Sequence, residues 1–339
     1  MRKAMIESSV GVVVIGRNEG ERLRACLASL SGAQARVYVD SGSTDGSVAL
    51  ARSLDFDVVE LDMDQPFTAA RARNTGIARL LRDHPTLEAV QTVDGDCEVR
   101  PDWMAVAQAD MAVDPRRAVV FGRRRERRPD ANGYHAACDD EWNVPIGEVN
   151  SCGGDALLRV VALREVGGYN DLLIAGEEPE MCVRLRARGW RIWSNGQEMT
   201  LHDVAITRLT QWWHRSRRTG YAFAELAALH GDGGDPGWRR LLRSALGWTA
   251  INIAAIVGVI LFALLDDPLL RVVVLAPAAL AGVQLLRMAR SKRARIGGRH
   301  ALQWSGLMMV AKAAQTLGWL RFKLQRITRA RATLIEYKA

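Results

Sequence analysis

The sequence lacks the residue spacings that mark several common kinds of site. Its five cysteines are scattered with no C-x-x-C pair, which indicates neither a zinc site nor a disulfide framework and suits a reducing compartment. The loop after the first apolar run, Gly16 to Gly20, does not contain G-x-G-x-x-G, and G-x-x-x-x-G-K-[ST] occurs nowhere. These absences argue against a dinucleotide-dependent oxidoreductase and against a P-loop protein.

Acidic residues are scarce in the last third of the chain. From Trp238 onward there are 17 Lys and Arg against 3 Asp and Glu, whereas residues 1–237 hold 29 against 35. A basic segment is typical of contact with nucleic acid or with an anionic membrane surface. Because the basic residues here flank apolar blocks, the pattern favours membrane lipids as the partner and no nucleic acid.

Two apolar blocks predict membrane helices. Ser244 to Leu265 is uncharged and long enough to cross a bilayer, and a second block follows Asp266-Asp267-Pro268 and extends to Leu286. Basic residues at both ends and an acidic turn predict a transmembrane hairpin at about 244–286 with both ends cytoplasmic. Residues 301–324 predict an interfacial amphipathic helix, with a third span as the alternative.

The predicted domains are residues 1–235, a body with mixed strands and helices, and residues 236–339, a basic membrane-associated helical region. Residues 1–9 are short and polar, so no secretory signal is expected. The predicted location is therefore the inner, cytoplasmic membrane, with the body facing the cytoplasm.

Apolar β-branched runs alternate with helical patterns along the body, which predicts an α/β fold with a doubly wound, mostly parallel sheet. The pattern is less regular over residues 121–155, which we interpret as a lid, a binding loop or a disordered insert. Helices are predicted at 156–166 and 178–188, and a short strand at 191–193. The predicted strands of the regular part are 10–15, 35–39, 57–61 and 89–93.

Ligands of such sheets bind beyond the carboxyl ends of the strands. The run Gln91-Thr-Val-Asp-Gly-Asp-Cys-Glu-Val99 ends the fourth predicted strand with two aspartates one residue apart. Asp94 and Asp96 would point the same way in an extended segment and could hold one cation, although Asp-Gly is also ordinary turn chemistry.

Five motifs occur in a characteristic order: VVVIGRNEG, VYVDSGSTDGS, FTAARARNTGI, QTVDGDCEV and GGYNDLLIAGEEPEMCVRLRARGW. Together they resemble the inverting family 2 glycosyltransferases of the GT-A fold, over roughly residues 8 to 220. The resemblance implies a GT-A type sheet, followed here by the membrane-associated helical region.

The resemblance also implies site residues. A divalent cation, Mg²⁺ or Mn²⁺, would be held by Asp94, Asp96 and His202, although a lone histidine is as often structural. Glu178 would be the catalytic base, with Glu177 as the reserve, although acidic residues also favour a helix N-terminus. The implied donor-binding residues are Asn18, Glu19, Asp40, Ser41, Arg73 and Asp94.

The chain departs from the family pattern at two of these positions. Ser41 stands where a second aspartate is common, and Glu178 stands where aspartate is usual. Two nearby residues have equally good structural interpretations. Asp45 could serve only as a helix cap, and Arg71 could lie on a solvated helix face.

The predicted function is metal-dependent, inverting transfer of a sugar from a nucleotide-sugar donor to a hydroxyl. The acceptor would be membrane-proximal, either a glycan or lipid-linked. Two alternatives remain. A nucleotidyltransferase would need a Gly-rich basic loop after the first strand, where this chain has only Arg17. A non-catalytic membrane scaffold with a GT-A fold would be indicated by loss of the metal pair or the base.

Overall fold

The computed structural model describes residues 9–231 and 237–328. Strands and helices alternate up to about residue 202, and only helices follow within the described part. The strands are β1 (Val10–Gly16), β2 (Ala35–Asp40), β3 (Asp57–Glu60), β4 (Ala89–Asp94), β5 (Cys97–Val99), β6 (Arg117–Glu126), β7 (Gly147–Val149), β8 (Ala156–Arg159) and β9 (Arg191–His202). The helices are α1 (Glu21–Ser29), α2 (Ser47–Ser53), α3 (Ala69–Asp83), α4 (Trp103–Val113), α5 (Gly133–Glu141), α6 (Val160–Val166), α7 (Glu177–Ala187), α8 (Leu209–His230), α9 (Gly237–Leu264), α10 (Pro268–Val274) and α11 (Ala276–Thr328).

The strands form one mixed sheet in the order β3-β2-β1-β4-β8-β6-β9-β5, with β7 paired to β9. The first four positions are parallel, since β1 pairs with β2 and β4, and β2 pairs with β3. β8 is antiparallel to both β4 and β6, and β6 runs parallel to β9. The predicted doubly wound, mostly parallel sheet is confirmed.

The parallel part of the sheet is buried on both faces, which explains its continuous apolar runs. α3 lies on β1 and β2 through Gly76. A Cβ atom at this position would clash with Val13 and would lie 2.8 Å from Cγ2 of Val39. Glycine therefore sets how closely α3 approaches the sheet.

Three sequence expectations are corrected by the structure. Most of the arginine-rich run FGRRRERR, from Phe121 to Glu126, belongs to strand β6 and not to an irregular loop. Residues 156–159 form strand β8, and only the part from Val160 onward is helical. Ala156, Leu157 and Leu158 are fully buried, and a short apolar run of this kind does not separate a strand from a helix by periodicity.

The third correction concerns β9, which does not end at Trp193 but continues to His202. The polar segment Asn195-Gly196-Gln197 has the composition of a turn. It is accommodated inside the strand because the pairing with β6 contains register shifts between Phe121 and Arg124.

The described chain divides into two compact units. The first comprises residues 9–128 and 141–204 and contains all the strands given above. The second comprises residues 129–140, 205–231 and 237–328 and is helical. The predicted domain boundary at 235/236 stays a prediction.

In the second unit, α8 packs against α11. The indole N–H of Trp212, a buried residue, donates to the carbonyl of Leu307 at 3.2 Å. Gly220 and Gly318 lie against backbone atoms of the facing helix, which leave no room for a side chain. Small residues thus permit close packing of the two helices.

Two helical stretches are long and apolar enough to cross a membrane, judged by length and composition: Gly237–Leu264 and Pro268–Thr328. The predicted hairpin at 244–286 comprises parts of both stretches and the turn between them. Large apolar side chains stand exposed along them, such as Ile256 and Leu264. The predicted helix at 301–324 is part of α11, whose backbone is non-helical at Gly297, and the number of spans stays a prediction.

Candidate active site

The carboxyl ends of the central strands bring the predicted site residues to one edge of the sheet. The register of β1 sets Gly16 opposite Asp40 of β2 and Ile15 opposite Asp94 of β4. Parallel pairing therefore places the two acidic strand ends on either side of β1.

The loops after β1 and β2 are held together by side chains of the site. The carboxylate of Asp40 accepts the Tyr38 hydroxyl at 3.0 Å and the backbone N–H groups of Gly42 and Ser43 at 2.9 and 2.7 Å. Asn18 has φ of 53°, and its side-chain oxygen accepts the N–H of Thr44 at 2.8 Å. Asp40 and Asn18 thus fix the conformation of the two loops where a nucleoside is expected.

The other predicted members of this group are also placed. Ser41 is buried, and its N–H donates to the carbonyl of Gly16 at 3.0 Å. Glu19 pairs with Arg22 at 2.9 Å. Asp45 accepts the N–H of Ser47 at 3.1 Å at the start of α2 and also the N–H of Gly20, so it supports this loop pair.

Arg73 of α3 joins three carboxylates that come from distant parts of the chain. Its Nη2 lies 2.7 Å from Asp94, and its Nη1 lies 2.9 Å from Glu177 and 3.0 Å from Glu178. Only 3% of its side chain is exposed. Arg73 therefore connects the end of β4 to the start of α7.

Arg71, the other arginine considered in this segment, lies outside that network. It donates to the backbone carbonyls of Asp62 and Gln65.

Glu178 lies at the first turn of α7, after Gly176, which has φ of 82°. Burial and the adjacent charge of Glu177 raise the pKa of Glu178 to about 7, and Arg73 only partly opposes this effect. A carboxylate with such a pKa is suited to accept a proton at neutral pH. Helix N-termini ordinarily stabilise carboxylates, so burial outweighs the helix here.

The two oxygens of Asp94 contact two different arginines. Oδ1 pairs with Arg73 at 2.7 Å and Oδ2 pairs with Arg124 at 3.0 Å. Burial alone would raise the pKa of Asp94, but the two cations outweigh it and lower the pKa. A Cβ atom at Gly154 would lie 2.7 Å from Oδ2 of Asp94 and would clash with Arg73, so the segment before β8 closes tightly over this pair.

Asp155 supports the same cluster from a fully buried position. Its Oδ1 accepts the backbone N–H of Asp94 at 2.9 Å, and its Oδ2 accepts the hydroxyl of Thr200 at 2.9 Å. The same Oδ2 lies 2.9 Å from Nη2 of Arg124. Asp155 thus fixes both the end of β4 and the guanidinium of Arg124.

Asp96 and His202 meet on the neighbouring side of the site. Nε2 of His202 lies 3.1 Å from Oδ2 of Asp96, and Glu126 lies 3.7 Å from the other ring nitrogen. Burial lowers the pKa of His202, but contact with Asp96 and Glu126 more than offsets it, so the pKa is raised. The ring of Trp142 stands edge-on to His202 with centroids 4.7 Å apart.

The donor set fits a divalent cation. Asp96, Cys97 and His202 each offer a ligand atom within 4.8 Å of the others, and all three are buried. Carboxylate oxygens suit Mg²⁺ and Mn²⁺, and a carboxylate close to Nδ1 is a common support for a metal-bound histidine. Asp94 forms a second group of possible ligand atoms with Cys97 and Asp155, although both of its oxygens also contact arginines. Its role as a ligand stays a prediction.

Arg124, Glu126 and Asp155 were absent from the predicted site. The usable signal was strand alternation: in an extended FGRRRE segment, residues 124 and 126 share one face. This segment was expected to be irregular and not a strand, so its alternation did not point to Arg124 and Glu126.

Comparison with solved structures defines the class of fold. The mannosyltransferase PcManGT from Pyrobaculum calidifontis in complex with GDP-Man and Mn²⁺ matches with a TM-score of 0.55 at 20% identity, over 91% of this chain and 87% of that chain. S. aureus TarS 1-349 matches with a TM-score of 0.50 at 14% identity, over 95% and 92%. At these identities the likeness concerns the fold alone, and the chain has a GT-A type fold.

Sequence comparison finds a family model that matches the first part of the chain. Residues 11–153 match the model described as glycosyl transferase family 2. A pre-mycofactocin glycosyltransferase of Mycobacterium tuberculosis (strain ATCC 25618 / H37Rv) is 29% identical over 239 residues, which are 66% of this chain and 48% of that protein. The succinoglycan biosynthesis protein ExoA of Rhizobium meliloti (strain 1021) is 30% identical over 183 residues, 51% and 54% of the two chains.

The match to glycosyl transferase family 2 thus covers residues 11–153, which hold strands β1 to β7. The chain spans about half the length of the curated relatives it matches. Glu177, Glu178 and His202 lie beyond the residues that match the family model.

Proposed function

We propose that this protein transfers a sugar from a nucleotide-sugar donor to a hydroxyl acceptor with inversion at the anomeric carbon. The observation that carries the proposal is that two chemically different groups of side chains lie at the same edge of the sheet. One is Glu178, a buried carboxylate with a pKa of about 7, and the other is the Asp96–His202 pair. Arg73 links Glu178 to Asp94, two residues before Asp96.

The cation is proposed to be Mg²⁺ or Mn²⁺ with Asp96 and His202 as its main protein ligands and Asp94 beside them. When bound, it would neutralise the charge that develops on the departing diphosphate. Glu126 lies near His202 and would orient the imidazole.

Glu178 is proposed as the base. It would take the proton of the acceptor hydroxyl while the acceptor oxygen forms a bond to the anomeric carbon and the bond from that carbon to the diphosphate breaks. A single displacement of this kind inverts the configuration. Glu177 shares Arg73 with Glu178 and helps to raise its pKa, so we assign it a supporting role.

The loops after β1 and β2 are proposed to bind the nucleoside of the donor. Asp40 and Asn18 fix the loop conformation through their backbone contacts. Glu19 and Ser41 belong to the same two loops, and Arg73 contributes indirectly by holding Asp94 at the end of β4.

The acceptor is proposed to be a glycan or a lipid-linked molecule at the membrane. The support is the pair of apolar helical stretches in the same chain and the basic residues that flank them. By the distribution of those basic residues, the family 2 domain would face the cytoplasm at the inner membrane.

The proposal is tested by incubating the full-length protein, purified in detergent, with Mn²⁺, membrane lipids as acceptor source, and a panel of UDP- and GDP-sugars. We expect release of nucleoside diphosphate from at least one donor, its loss with EDTA and its recovery with added Mn²⁺. Release of pyrophosphate from nucleoside triphosphates instead would favour a nucleotidyltransferase. Failure to bind or turn over any donor would overturn the proposal.

A further inference from the structure

The arginine predicted to bind the donor, Arg73, is poorly placed to meet an incoming phosphate directly. Its Nη1 and Nη2 are engaged by Glu177, Glu178 and Asp94, and only 3% of its side chain is exposed. Arg73 thus holds three carboxylates in place. Its guanidinium has little capacity left to bind a ligand.

Arg124 has the properties that Arg73 lacks. About 15% of its side chain is exposed, and its ion pairs with Asp94 and Asp155 both use the same nitrogen, Nη2. A guanidinium carries five N–H donors in a rigid planar arrangement that matches phosphate oxygens. Arg124 can therefore keep its contacts within the protein and still donate to a bound anion.

The surroundings of Arg124 hold its guanidinium in one place. Asp155, fully buried, pairs with it at 2.9 Å and also accepts the backbone N–H of Asp94 and the hydroxyl of Thr200. The guanidinium also lies over the ring of Trp142, with 5.5 Å from its central carbon to the ring centroid. A cation fixed in this way loses little side-chain entropy when it binds a ligand.

Arg124 also lies beside the segment that carries the candidate cation ligand. Its partner Asp94 is two residues before Asp96, and Trp142 contacts both Arg124 and His202. A diphosphate that reaches a cation at Asp96 and His202 would thus come close to the exposed part of Arg124.

We propose that Arg124 binds the diphosphate of the nucleotide donor and of the nucleoside diphosphate product, and that Asp155 is the positioning residue that orients it. The proposal rests on the proposed function and identifies a phosphate ligand of that same site. Charge-assisted hydrogen bonds from a guanidinium to phosphate correspond to roughly 10- to 100-fold in affinity.

The test measures binding of UDP and GDP, each with Mn²⁺, to the full-length protein in detergent by calorimetry. The variants are Arg124→Ala and, as a matched control, Arg125→Ala. Arg125 is the next residue of β6, pairs with Glu198 at 3.2 Å and points to the other face of the strand. UMP and GMP are measured in parallel, because they lack the second phosphate.

We expect Arg124→Ala to weaken binding of the nucleoside diphosphate by about 10-fold or more. The affinity for the monophosphate should change by a smaller factor, and Arg125→Ala should bind both like the native protein. Arg124→Lys keeps one positive charge beside Asp94 and Asp155, so it covers the case in which the alanine variant does not fold. We expect it to show an intermediate loss.

Equal binding of the diphosphate by native protein and the Arg124 variants would overturn this inference and leave the proposed function standing. An equal loss for mono- and diphosphate would also overturn it, because it would indicate general damage to the pocket. If the native protein bound neither UDP nor GDP, the proposed function itself would fail and this inference with it.

Discussion

Glu178 carries its negative charge at a cost to the folded protein. The side chain is 15% exposed, Glu177 lies next to it in sequence, and the only ion pair that the structure shows for it, within the described residues, is with Arg73. Burial and the charge of Glu177 raise the pKa of Glu178 to about 7, and Arg73 opposes them only in part. A site that served only to begin a helix would gain nothing from this arrangement, whereas a base gains a proton affinity matched to neutral pH.

The pKa of Glu178 predicts how the transfer rate depends on pH. The base must be deprotonated, so the rate should rise with pH and reach half its maximum near pH 7, the pKa of this group. The measurement is the initial rate of nucleoside diphosphate release from pH 5.5 to 8.5 at saturating donor. Glu177→Gln removes a neighbouring negative charge and should move the midpoint to lower pH. A midpoint that does not change in this variant would contradict the proposed effect of the Glu177 charge on the pKa of Glu178.

The same pKa predicts an effect on stability. A carboxyl whose pKa rises from about 4.5 to about 7 on folding favours the folded state below the unfolded pKa and loses that contribution as the pH rises through 7. Glu178→Gln should therefore be as stable as the native protein at pH 5 and more stable at pH 8, by on the order of 1–3 kcal/mol. Thermal unfolding of both proteins at the two pH values checks this, and a variant that is less stable at pH 8 would contradict the account.

At the scale of residues, sequence reasoning found the groups that stand in recognisable motifs. The structure brings Arg73, Asp94, Glu177 and Glu178 into one network, and Asp96 into contact with His202. Asp155 and Arg124 could not be found from the sequence, because their significance lies in contacts with Asp94, which is 61 and 30 residues away from them in the chain. No local pattern in the chain records which carboxylate a buried arginine will meet.

At the scale of elements, the segment between β7 and β8 forms a tight cover over Asp94 and Arg73. Gly154→Ala should push the new Cβ atom against the guanidinium of Arg73, since that position has no space for it. We expect at least a 10-fold loss of donor affinity and a destabilisation of about 1–3 kcal/mol. Gly153→Ala is the control, because a Cβ at Gly153 would meet no atom within 4 Å.

Donor binding and the melting temperature of the two glycine variants are the measurements. Equal behaviour of Gly153→Ala and Gly154→Ala would show that close contact at position 154 is unimportant.

The elements with strong periodicity were predictable, and those whose form depends on pairing were not. β1 and β4 are buried apolar strands of a parallel sheet and are visible in sequence as β-branched runs. β6 contains three consecutive arginines near its end and still forms a strand, because β8 and β9 provide its hydrogen bonds. Tertiary pairing overrides local composition in this case.

At the scale of the whole molecule, the apolar helices and their flanking charges predict a topology. Asp267 caps α10 and lies in the acidic turn between the two apolar blocks. A reporter inserted at Asp267 should be outside the cytoplasm, and reporters at residues 233 and 299 should be inside it. A cytoplasmic signal from the insertion at Asp267 would contradict the hairpin.

The cation site and the base are tested together by Mn²⁺-dependent release of nucleoside diphosphate. The native protein, Asp96→Ala and Glu178→Gln are compared in one assay with the donor found in the panel. We expect at least a 100-fold loss of rate in each variant. Glu178→Gln should still bind donor and Mn²⁺, whereas Asp96→Ala should lose Mn²⁺ binding. Activity that is unchanged in both variants would contradict the assignment of the cation site and of the base.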